Sequence, residues 1–241
     1  MKFSVVIPVF NEEDGIIIFL DEVLSCLKAY DFEVIVVDDG SNDGTMAKLK
    51  SYKVDCNILR IISHEKNIGQ SSAINTGVRF SKYDTIVTLD GDGQNDPADI
   101  PKLLQKFSDF KKNQENKNVI VAGYRKKRRD SLLKIFSSRV ANFIRSNFLN
   151  DETPDTGCGL KVFSRDLFLK LPFFDHIHRY LPALFSAYGA SILTIEVNHR
   201  PRSLGKSKYG FHNRLWVGII DLFGVKWLIN RAKYTKTGEI K

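Results

Sequence analysis

The stretch FSVVIPVFNEEDGIIIFLDEVLSCLKAYDFEVIVVDDGS, residues 3–41, sets the architecture. FSVVIPVF (3–10) is β-branched and apolar, and EVIVVDDGS (33–41) is a second such run that ends abruptly in acids and glycine. Both predict buried parallel strands. Between them, apolar residues recur at Ile16, Leu20, Val23, Leu24 and Leu27, a helical spacing. The unit is strand, helix, strand. Further along, NDGTMAKLKSY predicts a short helix with Asp43 or Thr45 near its start. ILRIIS (58–63) is a third strand, IGQSSAINTGVRFS a helix rich in small residues, and DTIVTLD (84–90) a fourth strand. The alternation predicts an α/β chain with an open, mostly parallel mixed sheet flanked by helices, whose ligand crevice lies at the carboxyl ends of the strands. Acids stand at those ends: Asp38 and Asp39 after the second strand, Asp90 and Asp92 after the fourth.

Beyond this core, PADIPKLLQKF predicts a helix and NVIVAGYR (118–125) a strand; then the pattern changes. SLLKIFSSRVANFIRSNFL (131–149) places Leu132, Leu133, Phe136, Val140, Phe143, Ile144 and Phe148 on one arc. Lys134 and Arg145 fall opposite and Arg139 at the rim, which reads as a basic amphipathic helix. GLKVFSRDLFLKL and SILTIEVNHRPR return to a mixture of sheet and helix. No repeat, low-complexity tract or Pro/Gly linker separates two domains.

The 241 residues are 43% hydrophobic and 27% charged, enough for one sizeable core. Cys26, Cys56 and Cys158 are odd in number and scattered, without zinc or disulfide spacing, and point to a reducing compartment. MKFSVVIPVFNEED reads as a strand rather than a leader, because Pro8 breaks its short apolar run. The most apolar long segment, LWVGIIDLFGVKWLI (215–229), carries Asp221 and Lys226, so a membrane span is not expected. The net charge of +8 is uneven. Residues 200–241 hold ten Lys and Arg against Asp221 and Glu239, and residues 125–145 hold eight against Asp130; the remainder is net acidic. Basic residues interleaved with apolar ones suit anionic lipid or phosphate. Nucleic acid is not the expected partner, since no binding motif accompanies the charge.

LDGDGQNDP (89–97) concentrates carboxylates in a basic chain. Asp90 and Asp92, at i and i+2 on a glycine-containing turn, have the spacing to approach one Mg²⁺ or Mn²⁺, with Gln94 as a neutral oxygen ligand. Alone, the same turn is equally a polar strand end. VVDDGSNDGT (36–45) is a second acidic turn, suited to hydrogen-bonding a ribose or base edge through Asp38 and Asp39, or again simply a turn. In RPRSLGKSK (200–208), Arg202, Lys206 and Lys208 surround Gly205 and Ser207, a loop composition suited to a pyrophosphate.

Taken in order, IPVFNEE, VVDDGSNDGT, LDGDGQNDP, AGYRKKRRDS, DTGCGLKVFSRD and RPRSLGKSKYG resemble the dolichol- and polyprenyl-phosphate sugar synthases, inverting family-2 glycosyltransferases of the GT-A fold. The resemblance runs from residue 3 to about residue 230. It implies that Pro8, Phe10, Glu12 and Asp39 contact the nucleotide and that Asp90, Asp92 and Gln94 hold the metal on the diphosphate. It also implies that Arg125, Arg139, Arg202 and Lys208 surround the donor and acceptor phosphates. DTGCGLKVFSRD with FFDHIHRYLPALF looks more narrowly like a bacterial envelope subgroup that charges undecaprenyl-type phosphate with uronic acids or hexosamines for lipid A decoration. His178 and Arg179 would then face sugar or acceptor.

The resemblance implies an enzyme using a nucleotide sugar, UDP-linked by preference, with Mg²⁺ or Mn²⁺. Its acceptor would be polyprenyl (undecaprenyl) phosphate at an anionic membrane surface. The expected place is the cytoplasmic face of the bacterial inner membrane, held peripherally without membrane-spanning helices. Residues 1–210 would form the GT-A catalytic domain. Residues 211–241 would be an amphipathic, interfacial segment of the same unit, and the alternative for the amphipathic segments is packing in the core or in a homo-oligomer. Two other readings compete: transfer to a glycan or protein acceptor, and a peripheral membrane protein that binds nucleotide sugar or lipid without catalysis.

Overall fold

The computed structural model describes residues 1–114, 117–125, 145–149, 151, 153–201 and 211–231, with the backbone alone described for 211–216. Strands β1 (Lys2–Val9), β2 (Asp31–Asp38), β3 (Leu59–Ser63), β4 (Thr85–Thr88), β5 (Val119–Tyr124), β6 (Lys161–Ser164) and β7 (Ser191–Glu196) form one sheet in the order β3-β2-β1-β4-β6-β5-β7. The β1–β2, β1–β4, β2–β3 and β5–β7 pairs are parallel; β6 runs antiparallel to both β4 and β5. Helices α1 (Ile16–Leu27), α2 (Thr45–Lys53), α3 (Gln70–Phe80), α4 (Ile100–Asn113), α5 (Arg165–Lys170), α6 (Leu181–Ala187) and α7 (Phe211–Arg231) cover it.

The strand periodicity of β1 sets the layers. Phe3, Val5, Ile7 and Val9 point to one face, where α1, α2 and α4 pack through residues such as Leu20, Leu49 and Leu104. Val6 points to the other, joining Ile74 and Val78 of α3, Phe168 of α5, Leu184 of α6 and Val225 of α7. Each such fully buried aliphatic or aromatic side chain contributes about 1.5–3 kcal/mol relative to exposure. The small residues of α3 have a steric cause. A Cβ at Gly77 would lie 2.3 Å from Val6 Cγ1, so the helix rests almost directly on β1.

The chain crosses from β1 to β2 and β3 on one side and returns through α3 to β4 on the other. The carboxyl ends of β1 and β4 therefore flank the topological switch point, where an open α/β sheet offers its crevice. As far as residue 125, the expected strands and helices are found within a few residues of their sequence positions.

Arg145, expected on the polar side of a 131–149 helix, is instead buried; its guanidinium pairs with Asp151 and donates to the Thr153 carbonyl at 2.7 Å. The carboxylate six residues on supplies inside the protein what solvent would have supplied outside. Residues 145–149 are helical and bury Leu149, whereas 131–144, including Arg139, lie outside the described residues. Among the described residues no helix is long and apolar enough to cross a membrane.

Candidate active site

The loops after β1 and β2 are knitted together by their polar side chains. Asn11, with φ of 52°, donates its backbone N–H to Ser41 Oγ at 2.8 Å, while its own Oδ1 accepts from Asn42 N at 2.7 Å. Thr45 Oγ1 accepts from Glu12 N, and Glu13 Oε2 accepts from Gly44 N, both at 2.8 Å. Pro8 is buried at the end of β1, and Phe10 and Glu12 follow, half-buried, on this double loop. Asp38 is turned into its own loop, accepting from the Ser41 hydroxyl and from Ser41 N.

Asp39 is held more firmly. Its Oδ1 meets His64 Nδ1 at 2.7 Å and Ile68 N at 3.1 Å, and its Oδ2 accepts from Gly69 N at 2.8 Å. Gly69 precedes α3, and the next two residues reach two further parts of the site. Gln70 Nε2 donates to Asp90 Oδ1 at 2.7 Å, and Ser71 Oγ lies 2.7 Å from His178 Nδ1. The start of one helix thus gathers the carboxylate after β2, the carboxylate after β4 and a histidine more than a hundred residues away.

Asp90 and Asp92 leave β4 on a turn in which Asp92 Oδ1 accepts from Gln94 N at 3.1 Å and Gly93 has φ of 73°. Burial and the neighbouring Asp92 charge push the Asp90 carboxyl above its ordinary range, against Lys161, Arg125 and the Gln70 amide. A Cβ at Gly159 would fall 2.3 Å from that carboxylate, so glycine is required opposite it. Among the described residues no hydrogen bond reaches the second oxygen of either Asp90 or Asp92. Two hard anionic oxygens, held near each other at an energetic cost that a cation removes, fit a divalent metal. No third His, Cys, Asp or Glu joins them among the described residues, so most of such an ion's shell would be phosphate and water. Gln94 is fixed through its main chain, its carbonyl accepting from Arg200 N at 3.0 Å. Asn95 bridges to His199, and Arg200 bonds Asp96 at 2.7 Å and Glu22 at 2.5 Å.

The expected cation Arg125 is present at the end of β5, but it is paired. Its Nε and a terminal nitrogen grip Asp155 at 2.6 and 2.9 Å, a bidentate ion pair that with Asp90 outweighs burial and raises its pKa. Lys161, only 3% exposed, donates to the carbonyls of Thr156 and Cys158, and burial lowers its pKa despite nearby Cys158, Asp90 and Asp155. His178 is pushed well below the usual histidine range by burial and by Arg179, Lys161 and His176, so at neutral pH it is an uncharged hydrogen-bonding group. Arg179 closes the short turn Ile177–Arg179. His176 ties that turn to α7 through Asp221, 2.9 Å from Nδ1. Arg202, Lys206 and Lys208, like Arg139, lie outside the described residues.

Gln70, Ser71, His64, Asp155 and Lys161 do not stand out in the sequence. Their signal is the small polar run GQSS opening a helix between two acidic strand ends, and the acid and lysine within DTGCGLK.

The chain is similar in sequence and fold to known proteins. Residues 4–171 match the model of glycosyl transferase family 2. Dodecaprenyl-phosphate galacturonate synthase of Rhizobium johnstonii is 32% identical over 235 residues, covering 95% of this chain and 68% of that one. Undecaprenyl-phosphate 4-deoxy-4-formamido-L-arabinose transferase of Photorhabdus laumondii is 32% identical over 214 residues, 87% of this chain and 63% of that one. The chain thus spans about two thirds of the length of these relatives. In fold it resembles glucosyl-3-phosphoglycerate synthase of Mycobacterium tuberculosis, solved with Mg²⁺ and uridine diphosphate. The TM-score is 0.66 at 20% identity, over 98% of this chain and 81% of that one. The mixed seven-stranded sheet, with its acids at the switch point, is GT-A-like, and the chain belongs to glycosyl transferase family 2.

Proposed function

We propose that this protein transfers a sugar, with inversion, from a nucleotide sugar to a polyprenyl phosphate such as undecaprenyl phosphate, in modifying the bacterial envelope. The observation that carries the reading is the convergence of Asp39, Asp90 and His178 on the first turn of α3. It provides a base-edge acceptor, a metal-type carboxylate pair and a neutral sugar-side group around one crevice. The two relatives, both named as polyprenyl-phosphate sugar enzymes, supply the acceptor class. A UDP-linked uronic acid or hexosamine is the favoured donor.

Asp39, with Pro8, Phe10, Glu12 and Asp38 around it, holds the nucleotide. Asp90, Asp92 and Gln94 would hold Mg²⁺ or Mn²⁺, an ion that supplies charge neutralisation of the diphosphate when bound. The acceptor is already an anion near neutral pH, so its oxygen attacks the anomeric carbon without a strong general base. The chain's own task is electrostatic and geometric: Arg125, held rigid by Asp155, together with Arg139, Arg202, Lys206 and Lys208, offsets the charge of nucleophile and leaving group. His178 and Arg179 orient sugar and acceptor. Direct displacement converts an α-linked donor into a β-linked lipid phosphate.

The exposed Ile220, Phe223 and Trp227 of α7, with Lys226 and Arg231 beside them, support docking at an anionic membrane surface on the cytoplasmic side. The test is an acceptor competition with purified protein, Mg²⁺ and Mn²⁺, and a panel of UDP- and GDP-sugars. Nucleotide release driven by undecaprenyl phosphate in preference to glycan or protein acceptors is expected. Release driven only by glycans would move the activity to a different acceptor, and binding without release would leave a nucleotide-sugar binding protein.

A further inference from the structure

Behind Asp39 stand two side chains with no part in the transfer chemistry. His64 comes directly after β3, with Nδ1 2.7 Å from Asp39 Oδ1 and Nε2 2.9 Å from Thr76 Oγ1 on α3. A carboxylate oxygen only accepts, so Nδ1 carries the proton; in the neutral ring Nε2 is then bare and takes the Thr76 hydroxyl proton. The order is Thr76 to His64 to Asp39, each bond polarising the next. The ring is 12% exposed and the Asp39 side chain 4%, so water competes little for either.

A carboxylate has about four acceptor positions. On Asp39, Oδ1 is filled by His64 and Ile68 N, and Oδ2 takes Gly69 N, which leaves one position, on Oδ2. Without the imidazole, Oδ1 would keep a single bond and the group could rotate to present either oxygen. We propose that His64, anchored by Thr76, is a positioning residue for donor recognition, fixing Asp39 so that its one remaining acceptor position meets a ring N–H of the nucleotide base. The inference rests on Asp39 as a nucleotide contact. It also predicts which bases bind: uracil and guanine carry such a ring N–H, whereas the corresponding ring nitrogen of cytosine is an acceptor.

The experiment is calorimetric titration of the full chain with UDP and CDP in Mg²⁺, for the wild type and for Asp39→Asn, His64→Leu, His64→Asn and Thr76→Val. Wild type should favour UDP over CDP. His64→Leu should weaken UDP by at least tenfold with little change for CDP, collapsing the preference. His64→Asn, whose amide N–H can stand in for Nδ1, should recover most of the loss. If His64→Leu does not fold, Thr76→Val, which leaves the ring in place, carries the test with an expected loss of about threefold. UDP affinity lost in Asp39→Asn but unchanged in the His64 and Thr76 variants overturns the positioning role and leaves the nucleotide reading standing. Unchanged affinity in Asp39→Asn, or a wild type indifferent to the base, overturns both.

Discussion

Glu33 sits near the amino end of β2, at the opposite edge of the sheet from the acidic turns. Burial raises its pKa, but bonds from Lys82 N at 2.6 Å, Arg60 at 2.8 Å and the Ser4 hydroxyl at 2.7 Å outweigh it, and the net shift is downward. A carboxylate with a lowered folded pKa contributes stability above its unfolded pKa, about 4.3, and loses it as pH falls through the folded value. Glu33→Gln should therefore cost about 2 kcal/mol at pH 7. In urea unfolding the gap to wild type should close as the pH drops below about 4. A gap that persists there would contradict the assignment. Among single residues the sequence displayed the acids, because carboxylates at strand ends stand out locally. It did not display what restrains them. His64 acts on Asp39 across 25 residues, Asp155 on Arg125 across 30 and Ser71 on His178 across 107, and no local pattern encodes such distances.

Among the elements, α7 combines a buried residue with exposed large apolar ones. Val225 is buried in the core and Lys226 Nζ lies 5.7 Å from the Phe148 ring centroid, while Ile220 and Trp227 are 69% and 62% exposed. Replacing Ile220 and Trp227 together by serine should lower binding to phosphatidylglycerol vesicles roughly tenfold in a sedimentation assay, because membrane affinity scales with the apolar area inserted. The melting temperature should fall by only a few degrees, since both side chains are mostly exposed. Unchanged vesicle binding would turn this face toward another protein instead. Periodicity made most helices readable, including the spacing of α1, yet it misplaced Arg145. A basic residue opposite an apolar arc reads as solvent-facing unless a buried acid waits for it, and Asp151 does.

For the whole molecule, the repeated strand-helix-strand order was enough to imply a parallel half-sheet with its crevice at the carboxyl ends of the strands, and the strand order then puts the switch point between β1 and β4. The insertion of β6 antiparallel between β4 and β5 was not legible. KVFS is only four residues long, and its direction is set by partners on both sides rather than by its own pattern. That insertion matters for the site, because it delivers Gly159 and Lys161 to Asp90. The sheet thus gathers two acidic turns, a buried lysine and a paired arginine into one crevice, and the proposed function stands or falls on whether that crevice moves a sugar onto a lipid phosphate. A radiolabelled donor sugar, incubated with undecaprenyl phosphate and Mg²⁺ or Mn²⁺ and partitioned between organic and aqueous phases, reads this out for wild type and Asp92→Ala. Label should enter the organic phase with wild type and remain aqueous with a folded Asp92→Ala; label that stays aqueous with every donor tried, or equal transfer by the variant, would contradict the proposal.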